Sequence, residues 1–203
     1  MPVTLPKHFF VRQDESADED FYLQPRFKTH IDDETIVNLT EYYAEAIPEN
    51  GAVLDLMSSW ISHLPQKQNY RAVSGLGMNS EELEENTVLT ERRVQNLNTN
   101  PSLPYSNESF DAVLIAVSVQ YLIQPLDVFN EIARCLLPDG KCIVSMSHRL
   151  FPSKAIYAFH ALPPEEKCRL VGSYLNHAGL KNIEFIDRSP IDADPLWIVV
   201  GEK

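Results

Sequence analysis

The nine residues Ala52-Val53-Leu54-Asp55-Leu56-Met57-Ser58-Ser59-Trp60 constrain this chain more than any other stretch. A short apolar run that ends around an acid and breaks into a sharp turn reads as a buried strand reaching the ligand-binding edge of an α/β sheet. Turns at that edge usually carry glycine, because the backbone must approach a ligand and take conformations that a β-carbon resists. Here there is none. The pattern predicts a strand, a turn and then a brief helix that stops near Pro65.

The remainder of the chain continues the alternation. Ile36, Leu39, Tyr43 and Ile47 recur at helical spacing, with Asp32 or Asp33 as cap and Pro48 as stop. A second strand, Ala72-Val73-Ser74, ends at Gly75-Leu76-Gly77, and Asn79 to Glu82 reads as a capped helix start. Val94 to Leu97 is a weaker third strand. Phe110 to Val117 is the clearest of all, apolar enough for burial on both faces. Leu126, Phe129, Ile132, Ala133 and Leu136 form a helix stripe that leads through Pro138-Asp139-Gly140 into Lys141 to Met146. A last helix starts at Pro163-Pro164-Glu165-Glu166 and closes at Gly179. The final strands, Asn182–Asp187 and Leu196–Val200, are joined by too short a loop for a parallel crossover and should pair antiparallel. Before all this, the acidic run Asp14 to Asp20 reads as solvated surface, and Phe21 to Phe27 as an extended aromatic segment.

Charge narrows the partners. With 29 acids against 17 bases the net charge is −12, which disfavours nucleic acid. No apolar run approaches the roughly 20 residues that span a bilayer, and Met1 to Phe10 lacks a continuous signal-peptide core. A cytoplasmic protein with no membrane partner is expected. Cys135, Cys142 and Cys168 lack the spacing of metal or redox sites, so no metal is expected and all three read as small hydrophobes.

Three phrases then fall in order: Leu103-Pro104-Tyr105, Ser109-Phe110-Asp111-Ala112-Val113, and Glu131-Ile132-Ala133-Arg134-Cys135-Leu136-Leu137-Pro138-Asp139-Gly140. Over roughly residues 50–148 the chain resembles class I S-adenosylmethionine-dependent methyltransferases, whose pattern is LPF…SFDxV…ExxRVLKPGG. Four further phrases resemble a branch of that superfamily found in bacteria and plants, methyltransferase type 11-like. They are Pro25 to Asp32 (PRFxxHID), Leu54 to Pro65 (LDLMSSWxSHLP), Gly75 to Asn79 (GLGMN) and Asp194 to Trp197 (DPLW). The resemblance implies a Rossmann-like α/β fold, with a mostly parallel seven-stranded sheet, helices on both faces and a C-terminal antiparallel hairpin. Residues 1–48 would form a cap or lid with one helix, and residues 49–203 the methyltransferase-like domain.

It also implies S-adenosylmethionine as cofactor, S-adenosylhomocysteine as product and a small-molecule methyl acceptor. The matching cofactor positions are Asp55, Met57, Ser58, Ser59, Gly77, Met78, Asn79, Asn96, Leu97 and Ser118. They depart from the superfamily pattern in three places. The DxGxGxG motif holds Met57, Ser59 and Ile61 at its glycines. The ribose-binding acid falls on Gly77, and the acid facing the adenine amine falls on Asn96. An asparagine oxygen still accepts from an amine, without the charge, whereas side chains in place of glycine narrow the turn and make positive φ costly.

Each candidate has a plainer role beside the functional one. Asp55 would take the cofactor's amino group or tie down its own turn; Ser58, Ser59 and Asn79 are natural helix caps. For chemistry or acceptor orientation the candidates are His63, His30, Tyr121 and His148, since histidine titrates near neutrality. Arg26 suits a carboxylate, and Gln120, Tyr121 and Arg149 follow strands four and five on the edge where ligands sit. Methyl transfer is an in-line displacement that positioning alone accelerates, so the lack of a fixed acid–base pair is compatible with it. The alternative is a non-catalytic methyltransferase-fold protein, with altered cofactor binding, that serves as a ligand- or protein-binding module. Reductase and serine-hydrolase readings fail for want of GxGxxG, YxxxK or GxSxG.

Overall fold

The computed structural model describes residues 5–203; Met1 to Thr4, part of the expected cap, lie outside them. Seven strands form one sheet: β1 (Ala52–Leu56), β2 (Ala72–Gly77), β3 (Glu91–Val94), β4 (Phe110–Ala116), β5 (Leu136–Met146), β6 (Lys181–Asp187) and β7 (Trp197–Glu202). Their order across the sheet is β3-β2-β1-β4-β5-β7-β6. The first five are mutually parallel; β7 runs antiparallel between β5 and β6. The helices are α1 (Asp18–Tyr22), α2 (Asp33–Ala46), α3 (Ser80–Glu85), α4 (Pro125–Cys135), α5 (Tyr157–Ala161) and α6 (Pro164–His177). The expected fold class is the observed one.

Strand alternation splits the core in two. Leu54, Leu56, Val113, Ile115 and Val144 point to one face, where Phe129 and Ile132 of α4 and Tyr174 and Leu175 of α6 cover them. Val53, Val73, Leu114 and Ile143 point to the other, against Leu39 and Tyr43 of α2 and Leu83 of α3. Burial on both sides explains why β1 and β4 are almost wholly apolar. α2 starts where Asp32 accepts from the Thr35 amide at 3.1 Å, and it ends before Pro48. α6 ends one residue before Ala178, and Gly179 takes φ +84° to turn the chain into β6.

The structure corrects four local expectations. No helix follows β1: residues 57–71 are irregular, with Met57 and His63 at φ +57° and +56°. Their polar groups turn inward to a shared buried cluster instead of stacking in turns. The third strand sits three residues earlier than expected, at Glu91–Val94, in register with Ser74–Gly77. The acidic run is not simply solvated surface: its end forms α1, and Asp18 is buried. Asp18 is held there by two buried cations, with Oδ1 2.6 Å from Arg12 and 3.4 Å from Lys154. Phe21 and Tyr22 accordingly lie in that short helix rather than in an extended segment.

Candidate functional site

The strand order reverses between β1 and β4, and parallel sheets open a crevice beyond the carboxyl ends of the strands at such a point. A cavity occupies it; the space between protein atoms there, open solvent included, is about 1170 Å³. Its floor comes from Asp55 of β1, Leu76 and Gly77 of β2, and Ala116 to Ser118 at the end of β4. Residues from the segment 12–31 form its outer wall.

Asp55 is 2% exposed. Its Oδ2 accepts from the hydroxyls of Ser58 and Ser62, both at 2.6 Å. Burial raises its carboxyl to about 6, and the two serine bonds pull against that shift. Asn86 fixes the same turn, donating to the Ser59 carbonyl and to Ser62 Oγ at 2.9 Å each. This polar knot takes the place of the expected helix. The Ser58 amide donates to the Leu76 carbonyl at 2.9 Å, and the Ser58 carbonyl lies against Gly77 where a β-carbon would stand. Gly77 is therefore the residue that lets the turn settle on the end of β2.

All ten positions matched to the cofactor line this one cavity, as do Arg26, His30, His63 and Tyr121. Asn79 has its plainer role: Oδ1 caps α3 by accepting from Glu82 at 3.0 Å, and Nδ2 holds the Tyr22 and Leu23 carbonyls. Asn96 Oδ1 accepts from the Asn98 amide at 2.9 Å, so that oxygen is already engaged. Ser118 Oγ is buried with no hydrogen-bond partner among the described residues.

Gln120, His148 and Arg149 do not line the cavity. Gln120 is buried and donates to the Val117 carbonyl at 2.9 Å. His148 and Arg149 both turn to Asp194, at 3.0 and 2.9 Å. Asp194 Oδ2 also accepts from the Asp32 amide, so the pair anchors the start of α2 to the loop before β7. Strand-end position puts these residues on the correct edge, yet a buried carboxylate nearby captures two of them.

On the acceptor side, His63 has a buried Nδ1 without a partner among the described residues. Burial, with the nearby His30, lowers its imidazole to about 4, so it is neutral at physiological pH. Partial burial also lowers His30, whose ring meets Phe151 edge-on at 5.2 Å. Phe151 stacks on Tyr121 at 5.7 Å, and Tyr121 Oη accepts from the Phe151 amide. Arg26 lies over the Phe21 ring at 4.5 Å and near Phe151 at 5.4 Å, and donates to the Phe21 carbonyl.

Sequence reasoning missed Glu82, Asp18, Lys154 and Phe151. Glu82 was legible only as a capping partner. The others come from segments whose distance along the chain hides their approach in space.

Residues 59–144 match a family described as a methyltransferase domain. The strand order and the cavity at its reversal point agree with that match. Over that stretch the chain is similar to the methyltransferase domain family. The class I likeness extends to solved structures. A chain of the complex of the Haloferax volcanii Trm112 methyltransferase activator superposes with a TM-score of 0.64 at 16% identity, over 81% of this chain and 88% of that one. The [4+2]-cyclase SpnF superposes at 0.61 with 16% identity, over 81% and 80%. An S-adenosylmethionine-dependent methyltransferase from Mesorhizobium loti superposes at 0.56 with 15% identity, over 80% and 96%. At these identities the likeness is one of class I fold. No curated protein matches the sequence.

Proposed function

We propose that this protein is an S-adenosylmethionine-dependent methyltransferase acting on a small-molecule acceptor. One observation carries the reading: ten positions spread over residues 55–118 converge on the walls of one cavity at the switch point. The residues present fit the cofactor. Both hydrogen bonds to Asp55 fall on Oδ2, and among the described residues Oδ1 accepts none. Asp55 lines the cavity, and a buried carboxylate there suits an ammonium group. The Ser118 hydroxyl, without a partner among the described residues, is a second open polar atom there.

When bound, S-adenosylmethionine supplies an electrophilic methyl group. The chain's part is to orient the acceptor and to take its proton where it carries one. His63 lines the cavity in its neutral, proton-accepting form, and its lowered basicity suits an acceptor whose proton becomes acidic as the methyl group arrives. Tyr121 and Phe151 offer a stacked aromatic wall, and Arg26 a cation for an acceptor's carboxylate. Residues 5–32 act as the cap. They close the outer side, which excludes water and favours an acceptor small enough to be enclosed.

A second reading keeps the fold without methyl transfer. The Ser58 carbonyl at Gly77 favours it, because backbone stands close to the position of the ribose-binding acid. Calorimetric titration with S-adenosylhomocysteine separates the two. Micromolar binding that Asp55→Ala weakens at least tenfold is expected, the worth of one hydrogen bond to a charged group. No heat at millimolar ligand sinks the methyltransferase reading and leaves the binding module.

A further inference from the structure

Seven of the chain's nine arginines stand beside a carboxylate. Arg92 donates to the Leu83 and Asn86 carbonyls instead. Arg26 is the one left over: half-buried in the outer wall of the cavity, with no acid paired to its guanidinium among the described residues. In a chain of 29 acids and 17 bases, the packing alone would not keep such a cation single. Three rings pack around it, Phe21 at 4.5 Å, Phe151 at 5.4 Å and Tyr22 at 5.7 Å. One N–H reaches the Phe21 carbonyl at 2.7 Å and another the Gln24 carbonyl at 3.4 Å. The rest of the fork has no partner among the described residues, and a guanidinium edge is shaped for a carboxylate.

The cavity also reverses the charge balance of the chain, since four cations line it against three acids. Asp18 is matched by Arg12 and Lys154, while Asp55 belongs to β1 and Glu82 to α3. Arg26 and the exposed Lys28 are then the open positive charges, both on the outer wall. Tyr22, Trp60, Tyr121 and Phe151 line the same space and offer it flat apolar surface.

We propose that the methyl acceptor is an aromatic carboxylate, its carboxylate held by the open edge of Arg26 and its ring by the aromatic lining. This rests on the methyltransferase reading and names the acceptor's class. Lys28 adds attraction for the anion that salt screens. A neutral ring of the same shape lacks the grip, and an aliphatic acid lacks the stacking. The segment before α2 is then part of the acceptor site, not only a cover over it.

The test is calorimetry on the full chain, first with S-adenosylhomocysteine and then, with that ligand saturating, with benzoate, benzamide and cyclohexanecarboxylate. The parent should take benzoate roughly 10- to 100-fold more tightly than benzamide, the range of a hydrogen bond to a charged group. It should prefer benzoate to cyclohexanecarboxylate by roughly 2- to 10-fold, the worth of an aromatic contact. Arg26→Gln should erase the preference over benzamide and leave S-adenosylhomocysteine affinity within about twofold, as separate sites do. Arg26→Lys keeps the charge without the fork, so it should reduce that preference without erasing it. This second variant carries the test if Arg26→Gln does not fold. Benzamide equal to benzoate, a preference undiminished in the Arg26 variants, or a parent that takes no probe at millimolar concentration overturns the proposal. Cyclohexanecarboxylate equal to benzoate overturns the aromatic half of it. A tenfold loss of S-adenosylhomocysteine in Arg26→Gln gives the arginine to the cofactor and overturns it as well. If S-adenosylhomocysteine itself does not bind the parent, the cofactor reading fails, and benzoate against benzamide on the protein alone decides the carboxylate site separately.

Discussion

The Ser58 carbonyl occupies the space that a β-carbon on Gly77 would take. The obstacle is backbone, fixed by the Ser58 amide bond to Leu76, and cannot rotate away. Gly77→Ala should therefore destabilise the fold by roughly 1–3 kcal/mol, as overpacking against fixed backbone does. Gly77→Asp, which restores the usual acid, should do no better. Urea denaturation of the three proteins checks this; an Asp variant as stable as the parent would show that the turn moves.

Met57 keeps the left-handed conformation that glycine usually provides at this turn, with φ +57°. A β-carbon there costs roughly 1–2 kcal/mol. The side chain also packs on the core, so comparison with the parent mixes two effects. Met57→Gly and Met57→Ala both lose that packing, and only Ala keeps the strain. The Gly variant should be the more stable of the two by about 1 kcal/mol in chemical denaturation; the reverse order would deny the strain.

Asp55 gives a pH signature. Its folded carboxyl stands at about 6 against an ordinary value of 3.8, raised by burial. The native state thus holds a proton that the unfolded chain releases. The associated stability is full below 3.8 and is lost as pH rises through 6. Over that window the loss is roughly 3 kcal/mol, at about 1.4 kcal/mol per pKa unit. Asp55→Asn has no such charge to bury, so its melting temperature should gain on the parent between pH 5 and pH 8. A constant gap would refute the shift. Ligand binding to the ionised oxygen runs the other way, tightening as pH rises through 6.

His63 opposes Asp55 in nearly the same range. Its folded value of about 4 lies below the ordinary 6.5. Stability is present above 6.5 and lost as pH falls through 4. His63→Gln should flatten the acid side of the parent's stability curve between pH 6.5 and pH 4. It should leave melting above pH 7.5 almost unchanged, apart from small packing effects.

Lys154 is fully buried, with Nζ 2.7 Å from the Ser16 carbonyl, 3.1 Å from Asp14 and 3.4 Å from Asp18. Lys154→Met leaves Asp18 only the Arg12 side of its pairing. A loss of several kcal/mol is expected, on the order of 3. The effect should concentrate in the N-terminal segment, where amide exchange of residues 12–22 rises before that of β1 and β4.

The sheet was legible because strands buried on both faces have to be largely apolar, and Val53-Leu54 and Ala112 to Ala116 satisfy that without help from distant residues. Antiparallel closure was legible from the loop before Trp197, too short for a crossover. The stretch after β1 was not. Ser58 and Ser62 are as compatible with helix caps as with bonds to Asp55, and only the approach of Asn86 from beyond β2 selects the second. The same holds for the acidic run: its burial depends on Arg12 and on Lys154, far along the chain. Asp194 captures His148 and Arg149 by a third long-range approach. Local pattern fixes elements, while polar side chains answer to partners that pattern does not show.

A helix that begins behind a ligand-binding turn lends that turn a fixed partial charge, and no change of acidity removes it. Here residues 57–71 carry no helix, so the electrostatic grip at the end of β1 rests on side chains alone. Asp55, at about 6, is the buried one among them that changes charge close to neutrality. A dipole is permanent; a carboxylate can let go.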